Sequence, residues 1–443
     1  WSSDVCSSDL QSARKSARRT QCLNNVRNIS TAMQNFISRS STGALPASGY
    51  WGADLSQGSS ATAYDIGDFT TAWNWGNPNA TASSPAGQLP PSSGSTVQPM
   101  LYSWALQLLP YLDRADVYDA WDFSANQAGA AGLLNGSNGS YLDTSTKSNP
   151  DLNSTTDKGN WQLSNTNIAV YSCPEDITIV PGQGNLSYVV NGGFALHWKV
   201  SNDSAHGGTG ADWAVTASGG NAPLTPDNLK RMGLMFLDTT ATGTPVSFRR
   251  TIDSIRDGTS TTVLLSENIN AGNANGAPVW ANGWANPHPF NTSFFVNGQG
   301  ACNVPAATIT TYDYSQANNK GVKAIGSKFV SAMSDVTSGS ANQGGINGDT
   351  TGLQEGSFPY PNSLHTGGVH VAMCDGSARF IADTINGAVW ARLVTPQGGS
   401  VAAPGDSSGN FSKGQLLFEN QNGLGGLDRK STRLNSSHTV ISY

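Results

Sequence analysis

One stretch near the start of the chain carries apolar residues at steps of three and four. No Pro or Gly interrupts residues 11–39, and their apolar positions form one stripe, which consists of Cys22, Val26, Ile29, Met33 and Phe36. This spacing predicts an amphipathic α-helix whose stripe faces a core. The first turns are basic, with Arg14, Lys15, Arg18 and Arg19. Because cations oppose the macrodipole at a helix N-terminus, we expect the helix to continue upstream of Gln11.

After this helix the chain changes to short β-capable runs separated by long segments rich in Gly, Ser, Asn and Thr, which favour turns and loops. We predict a strand around residues 187–190 and a buried strand over residues 261–266. A turn at Asp257 and Gly258 precedes the second of these strands. We also predict a strand over residues 390–394, which would pair near the C-terminal hairpin described next.

That hairpin has the clearest local pattern in the chain. Residues 369–374 alternate as a pleated strand does, Asp375 and Gly376 form a two-residue turn, and residues 377–381 return. Asp-Gly between two β-capable runs is a strong hairpin signal because both turn positions take positive φ. We therefore predict Gly376 at positive φ, and we place His365 ahead of the first strand.

The composition is low in charge and high in glycine. Charged residues make up 12% of the 443 positions, about half of the usual ~25%, and Gly occurs 50 times. The hydrophobic content of 37% is nevertheless sufficient for a substantial core. With a net charge of −6, the chain offers no electrostatic basis for binding nucleic acid.

The cysteines are widely spaced and include no C-x-x-C pair. Cys6 lies among the first ten residues, and the other four are Cys22, Cys173, Cys302 and Cys374. Four cysteines permit three pairings, and their spacing does not choose among them. An exported protein would favour one or two disulfides, whereas a cytosolic protein would keep buried thiols.

The two ends of the chain differ from everything between them. Residues 1–10 show neither a hydrophobic periodicity nor the pattern of a targeting signal. Residues 429–443 are equally unlike the sequence that precedes them. Both read as translated sequencing-adapter sequence fused to a genuine reading frame, so we set them aside before reasoning about the fold. The alternative is a pair of disordered termini.

Several blocks together resemble a known family. The first is the spacing His365-x9-Asp375-Gly376, and the others are residues 12–33, 102–123, 171–176 and 248–267. In their order along the chain, these blocks resemble the prepilin-type proteins with a C-terminal His-x9-Asp-Gly domain, the family called domain of unknown function 1559. Glu175 departs from the pattern, because the family has Ser at that position of its Cys-Pro-Ser-Asp block.

The resemblance implies an α+β, pilin-like fold, in which a long N-terminal α-helix packs on an antiparallel β-sheet with large loop insertions. It assigns residues 11–42 to the C-terminal part of the pilin-type helix. Residues 43–428 become a β-rich globular domain that ends in the His-x9-Asp-Gly hairpin. Residues 1–10 and 429–443 are left as artefact.

The resemblance also implies roles for single residues. We expect His365 to hydrogen-bond the backbone of a loop or turn, and Asp375 to supply the hairpin turn. Cys22 and Cys173 both lie in matched blocks, so we expect a disulfide between them. No catalytic residue and no metal ligand is assigned, and the structural motif comprises His365, Asp375, Gly376, Asp257 and Gly258.

For function, the resemblance implies a non-enzymatic, pilin-like or pseudopilin-like structural subunit of a type II secretion or type IV pilus-related envelope assembly. The implied partners are other pilin-like subunits or a secretion apparatus, and a prepilin peptidase would process the intact precursor. We expect that precursor to carry a cleavage site and about 20 apolar residues upstream of Gln11, enough to cross a bilayer. Its globular domain would be exported and anchored to the inner membrane.

Two other classes of function stay open. An exported glycan- or solute-binding module is the second possibility, because the loops are rich in tryptophan, whose rings can stack on sugars. Such rings can equally cover the core beneath the loops. The candidates are Trp73, Trp75, Trp198, Trp280 and Trp284. A hydrolase or metalloenzyme comes third, since His370 and Cys374 share a strand face near His365 and would suit zinc or iron. No cofactor is assigned, although loop Asp and Asn oxygens suit Ca²⁺.

Two further patterns of reactive residues have simpler readings. Residues 405–409 fit the nucleophile-elbow pattern, but their flanks are loop sequence where that motif requires a strand and a helix. Two pairs of neighbouring carboxylates are interpreted as solvated, namely Asp113 with Asp116 and Glu175 with Asp176.

Overall fold

A computed structural model of the chain describes residues 2–51, 100–123, 159–179, 181, 184–194, 233–239, 249–269, 283–287, 289–296, 345–348 and 360–397. The helices in these stretches are α1 (Ser2–Arg39), α2 (Trp104–Leu108), α3 (Ala115–Ala120), α4 (Gly159–Ser164), α5 (Pro289–Thr292) and α6 (Gly387–Val394). The strands are β1 (Gly49–Trp51), β2 (Met100–Ser103), β3 (Tyr188–Phe194), β4 (Leu237–Thr239), β5 (Val263–Glu267), β6 (Ser293–Val296), β7 (Gly368–Met373) and β8 (Ala378–Ala382).

The strands of the described residues form a larger and a smaller sheet. The larger sheet has the order β6-β3-β5-β7-β8, in which β3 and β6 run parallel and the other neighbours run antiparallel. The smaller sheet has the order β2-β1-β4, and here β1 and β4 are parallel. The α+β class is therefore confirmed, but the expected antiparallel sheet needs correction, because each sheet is mixed. Long connections within the chain allow these parallel pairs.

Helix α1 lies on the larger sheet and buries the predicted stripe. It contacts β5, β7 and β8. Cys22, Val26, Ile29 and Met33 have no exposed surface, whereas Phe36 is partly buried at the edge of the core. Burying a large apolar side chain contributes about 1.5–3 kcal/mol. The stripe thus holds the helix on the three strands that form the C-terminal half of the sheet.

The outer part of α1 extends beyond this packed region. The helix begins at Ser2, so it runs through the residues set aside as adapter sequence. Side chains of residues 9–18 are exposed. Within the described part of the chain, no helix combines the length and the apolar character that crossing a membrane requires.

The predicted hairpin is present as β7 and β8, but its turn is one residue longer than expected. The N–H of Gly376 donates to the Met373 carbonyl at 3.0 Å, and that of Met373 donates to the Ser377 carbonyl at 2.8 Å. Gly376 has the predicted positive φ of 89°, whereas Asp375 does not share it. These bonds correspond to a three-residue loop in which a left-handed Gly follows an ordinary turn. The Asp375 carboxylate accepts from the backbone N–H of Ser377 at 2.9 Å, which fixes the turn.

Replacing Gly376 with Val is expected to lower the free energy of unfolding by about 1–3 kcal/mol, because a β-branched residue is strained at positive φ. Crowding is not the cause, since an added Cβ would meet its nearest neighbour, the Gln34 side chain, at 4.0 Å. Urea denaturation measures the change. Gly376→Asn is the matched control, because Asn tolerates this backbone conformation better, and it should lose clearly less. Equal losses in the two variants would contradict a strain mechanism.

The expected strand over residues 390–394 is wrong, because these residues belong to helix α6. Trp390, Ala391 and Val394 are buried, and their spacing of three and four fits one helix face. Trp390 also stacks with Phe294 of β6 at a centroid distance of 5.9 Å. A short apolar run carries too few positions to separate a period of two from one of 3.6.

Candidate functional site

Glu267, the last residue of β5, is a buried carboxylate at the centre of the larger sheet. Its side chain is 1% exposed. Oε2 accepts from the backbone N–H of His370 at 2.8 Å. Oε1 lies 3.1 Å from Nε2 of His365 and 3.2 Å from Nδ1 of His370. We call Glu267, His365 and His370 the carboxylate–histidine cluster.

The two histidines reach Glu267 from adjoining parts of the C-terminal segment. Ser266 of β5 pairs with Val371 of β7, which brings Glu267 beside His370. His365 precedes β7, as predicted, and its backbone N–H donates to Oγ of Ser363 at 3.1 Å. The expected partner of the His365 ring was a backbone group, and this needs correction, because the ring bonds the Glu267 carboxylate instead.

The charge of Glu267 is stabilised inside the core. Burial raises the pKa of this carboxyl, but hydrogen bonds from His365 and His370, with electrostatic attraction to their rings, outweigh burial and bring the pKa to about 2. Both rings can donate to Oε1 when the proton sits on Nε2 of His365 and on Nδ1 of His370. The cluster is therefore a set of hydrogen bonds around an ionised carboxylate.

A disulfide between Cys22 and Cys173 lies directly against the cluster. It is the pairing expected from the family resemblance, and it joins helix α1 to the segment before β3 across 151 positions of sequence. Sγ of Cys173 is 3.7 Å from Nε2 of His365. Cys374, which the sequence grouped with the histidines, is instead a buried cysteine outside this group and forms no disulfide. The structure therefore brings together His365 and His370 but completes the group with Cys22, Cys173 and Glu267.

Asp176 is a second buried carboxylate near this site, so its interpretation as a solvated residue was wrong. It is 7% exposed. It accepts from Oγ of Ser187 at 2.6 Å and from the backbone N–H of Thr178 at 2.9 Å. Burial raises the pKa of Asp176, these hydrogen bonds offset part of the rise, and the charge of Glu267 adds to it, so that the pKa is about 6. By contrast, Asp116 is exposed on the surface, as expected.

Asp176→Asn is expected to flatten the dependence of stability on pH between about pH 4 and 6. The folded pKa of Asp176, about 6, exceeds the unfolded value of about 3.9. Between those values the folded state binds more protons, so the unfolding free energy of the unaltered protein falls by about 3 kcal/mol as the pH rises. Because Asn does not titrate, the variant should lack this decrease in the free energy of unfolding. Chemical denaturation at several pH values measures both curves.

The exposed Asp253 supplies the control for that measurement. Asp253→Asn should keep the slope of the unaltered protein, because it removes a carboxylate that lies in solvent. If Asp176→Asn and Asp253→Asn had the same slope between pH 4 and 6, the buried carboxyl would not be the source of the pH dependence.

The remaining candidates from the sequence are structural or lie outside the described residues. Gly258 has a φ of 95° in the turn that it forms with Asp257, just before β5. Trp284 is fully buried, and its Nε1 donates to the carbonyl of Thr166 at 2.9 Å, so it is a core residue. The candidates outside the described residues are Trp73, Trp75, Trp198, Trp280, Cys302 and residues 405–409. Most loops proposed for Ca²⁺ also lie there.

Glu267 is the functional residue that sequence reasoning missed. It follows four buried residues of β5, where a Glu normally marks the end of a strand at the surface. Its partners are 98 and 103 positions away, so no short motif contains them. The available signal was that Glu267 closes one of the blocks that resemble the family.

Comparison with known proteins identifies one family. A family model described as "Protein of unknown function (DUF1559)" matches residues 11–388, which include the described residues of the cluster and the disulfide. Neither curated proteins nor solved structures include a match to this chain.

Proposed function

This chain belongs to the DUF1559 family, and from that premise we propose that it is a pilin-like or pseudopilin-like structural subunit of a type II secretion or type IV pilus-related envelope assembly. The observation that carries the proposal is the two-part arrangement of α1. One part, from Cys22 onward, packs on the sheet, while residues 11–18 are exposed. A helix that leaves its own domain in this way can pack against helices of neighbouring subunits.

Two contacts support α1 where it leaves the sheet. Nζ of Lys15 donates to Oγ1 of Thr366 at 3.0 Å. The guanidinium of Arg19 lies 4.0 Å from the ring centroid of Phe380 on β8. Such a cation–π contact at a partly exposed site contributes about 0.5–1 kcal/mol. Together the contacts favour a fixed direction for the exposed turns, which a subunit with a repeated packing geometry requires.

The buried state of the carboxylate–histidine cluster supports a non-enzymatic role. The side chains of Glu267 and His365 are 1% exposed, and that of His370 is 3% exposed. Both histidine rings contact the Glu267 carboxylate, so the cluster cross-links β5 to the segment around β7. We propose that it acts through stability and assembly and has no turnover.

His365→Ala tests this structural role. We expect the free energy of unfolding to fall by about 1 kcal/mol or more, because Glu267 loses a hydrogen-bond donor in the core. The exposed neighbour Thr366→Ala is the control and should change stability little. Thermal denaturation measures both variants. Unchanged stability together with the loss of a measurable hydrolytic activity would contradict the structural role.

The proposed location is the cell envelope, with the globular domain exported and the intact precursor anchored to the inner membrane. Proposed partners are other pilin-like subunits or a secretion apparatus, and a prepilin peptidase for the precursor. These assignments rest on the family resemblance and on the arrangement of α1.

Site-specific photo-cross-linking in the cells that make the intact precursor tests assembly. One variant carries the cross-linker at Gln11 in the exposed part of α1, and a matched variant carries it at Ile177, which is 82% exposed on the domain surface. We expect a ladder of cross-linked copies mainly from position 11. If both positions gave only single chains while the purified protein bound glycans, the assembly proposal would fail and the binding-module alternative would replace it.

A further inference from the structure

We propose that reduction of the Cys22–Cys173 disulfide creates a buried tetrahedral Zn²⁺ site formed by the two cysteine sulfurs, Glu267 and His365. The ligand atoms of these four residues all lie within 4.8 Å of one another, and all four residues are buried. While the disulfide is intact, the sulfurs are bonded to each other. The site therefore belongs to the reduced protein.

The distances within the group already approach those of a zinc site. Nε2 of His365 is 3.7 Å from Sγ of Cys173 and 3.1 Å from Oε1 of Glu267. With Zn–S bonds of about 2.3 Å and Zn–N or Zn–O bonds of about 2.0–2.2 Å, tetrahedral ligand atoms are about 3.3–3.8 Å apart. The bonded sulfur pair has to separate to admit the ion, and all the ligand atoms already lie within 4.8 Å of one another.

Contacts other than the disulfide hold the segments that carry the ligands. Nδ2 of Asn25, one turn after Cys22 on α1, donates to the carbonyl of Ser172 at 3.1 Å. The N–H of Ser187 donates to the carbonyl of Tyr171 at 2.8 Å. Both bonds hold the two residues that directly precede Cys173. Reduction should therefore leave the two sulfurs close together instead of releasing helix α1.

His370 is not one of the four ligands, but it stabilises the negative charge of the site through its contacts with Glu267. Two thiolates and one carboxylate exceed the charge of Zn²⁺ by one negative charge. The N–H and Nδ1 of His370 contact the two oxygens of Glu267 at 2.8 and 3.2 Å. A hydrogen-bond donor of this kind orients a ligating carboxylate and stabilises its charge.

The redox and metal steps balance as follows. A dithiol or phosphine reductant supplies two electrons, and with two protons the disulfide becomes two thiols. Zn²⁺ then replaces the two thiol protons, which leave to solvent, while the ring proton of His365 moves from Nε2 to Nδ1. The ion forms two Zn–S bonds, one bond to Nε2 of His365 and one Zn–O bond. The same cysteines thus tie α1 to the domain in both redox states, through a disulfide or through the ion.

The test uses the full chain reduced with a phosphine and titrated with Co²⁺ or Zn²⁺. We expect one ion per reduced chain and no comparable uptake by the oxidised chain. Tetrahedral Co²⁺ bound to thiolates should give its visible absorption bands. X-ray absorption of the zinc form should show two sulfur atoms at about 2.3 Å and two nitrogen or oxygen atoms at about 2.0 Å.

Two cysteine variants separate this site from adventitious thiol binding. Cys22→Ser should abolish the Co²⁺ bands in the reduced protein, whereas Cys374→Ser should retain them, because Cys374 is not part of the group. His370→Gln should weaken binding about 10- to 100-fold through the loss of carboxylate support. Near-ultraviolet circular dichroism checks that each reduced variant is folded.

Stoichiometric binding with a different ligand set would overturn the proposal. So would the absence of tight uptake by the reduced, folded chain, or Co²⁺ bands that depend on Cys374 and not on Cys22. The X-ray absorption measurement needs only the unaltered protein, so it decides the question even if Cys22→Ser fails to fold.

Discussion

Glu267→Gln is expected to lower the free energy of unfolding by about 3–5 kcal/mol at pH 7, because two histidine rings and a backbone N–H lose the charged acceptor that they share inside the core. His365 and His370 both contact Oε1 of Glu267 at 3.1 and 3.2 Å. The amide cannot provide a charged acceptor to two donors and to the backbone N–H of His370. The loss should therefore exceed that of an ordinary hydrogen bond.

Urea denaturation at pH 7 measures this loss, and a surface ion pair provides the control. Asp116 contacts Arg114 at 2.8 Å and is largely exposed. Asp116→Asn should cost less than about 1 kcal/mol, because solvent screens exposed pairs. A Glu267→Gln variant no less stable than Asp116→Asn would show that the buried cluster does not stabilise the fold.

The effect of Glu267 should also disappear in acid. Its folded pKa of about 2 lies below the ordinary value of 4.5. A lowered pKa stabilises the folded state above pH 4.5, and this contribution is lost as the pH falls from 4.5 towards 2. The two pKa values correspond to about 3 kcal/mol. Glu267→Gln should lack this part of the acid destabilisation.

Loss of the Cys22–Cys173 disulfide is expected to cost about 5 kcal/mol, the largest effect expected of any change in the chain. The cross-link closes a loop with a sequence separation of 151, and the chain-entropy model gives about this value for a loop of that length. The expected result is a large fall in the denaturation midpoint of the Cys22→Ser, Cys173→Ser double variant. A chelator in the buffer prevents metal binding from contributing in the reduced comparison.

The measurement compares oxidised, reduced and double-variant protein by urea denaturation. Cys374→Ser is the matched control, since Cys374 is a buried cysteine that forms no disulfide. It should keep the oxidised protein close to its original stability. Peptide mapping without reductant should find Cys22 and Cys173 in one cross-linked peptide pair. A free thiol at either residue, or a loss below about 1 kcal/mol in the double variant, would contradict the expected stabilisation.

The parts of the fold that depend on periodicity could be predicted from the sequence. The stripe that includes Cys22 and Met33 was correct because steps of three and four over many residues specify a helix face. The hairpin was correct except for its loop, since Asp375-Gly376 marks a turn but does not fix how many residues it contains. The run at 390–394 was too short to specify a strand or a helix.

The candidate site could be predicted only in part, because its members meet through tertiary structure. The two histidines were found through their proximity in sequence, whereas Glu267 joins them from another strand of the sheet. The His370–Cys374 pair was misleading. Both residues are buried, yet the group of possible metal ligands in the described chain contains Cys22 and Cys173 instead. Proximity in sequence therefore selected Cys374, whereas the cysteines close to His365 in space are Cys22 and Cys173.

The disulfide also determines how the chain would respond to a pulling force applied at its two ends. Tension entering through α1 passes at Cys22 directly to Cys173, so the intervening segment bears none of it. That segment has a sequence separation of 151 and could otherwise lengthen the chain by about 500 Å when fully extended. Under force, the oxidised protein can therefore extend less than the reduced protein, because most of its N-terminal half bears no tension. Reduction of the disulfide would add the length of that segment to the maximum extension.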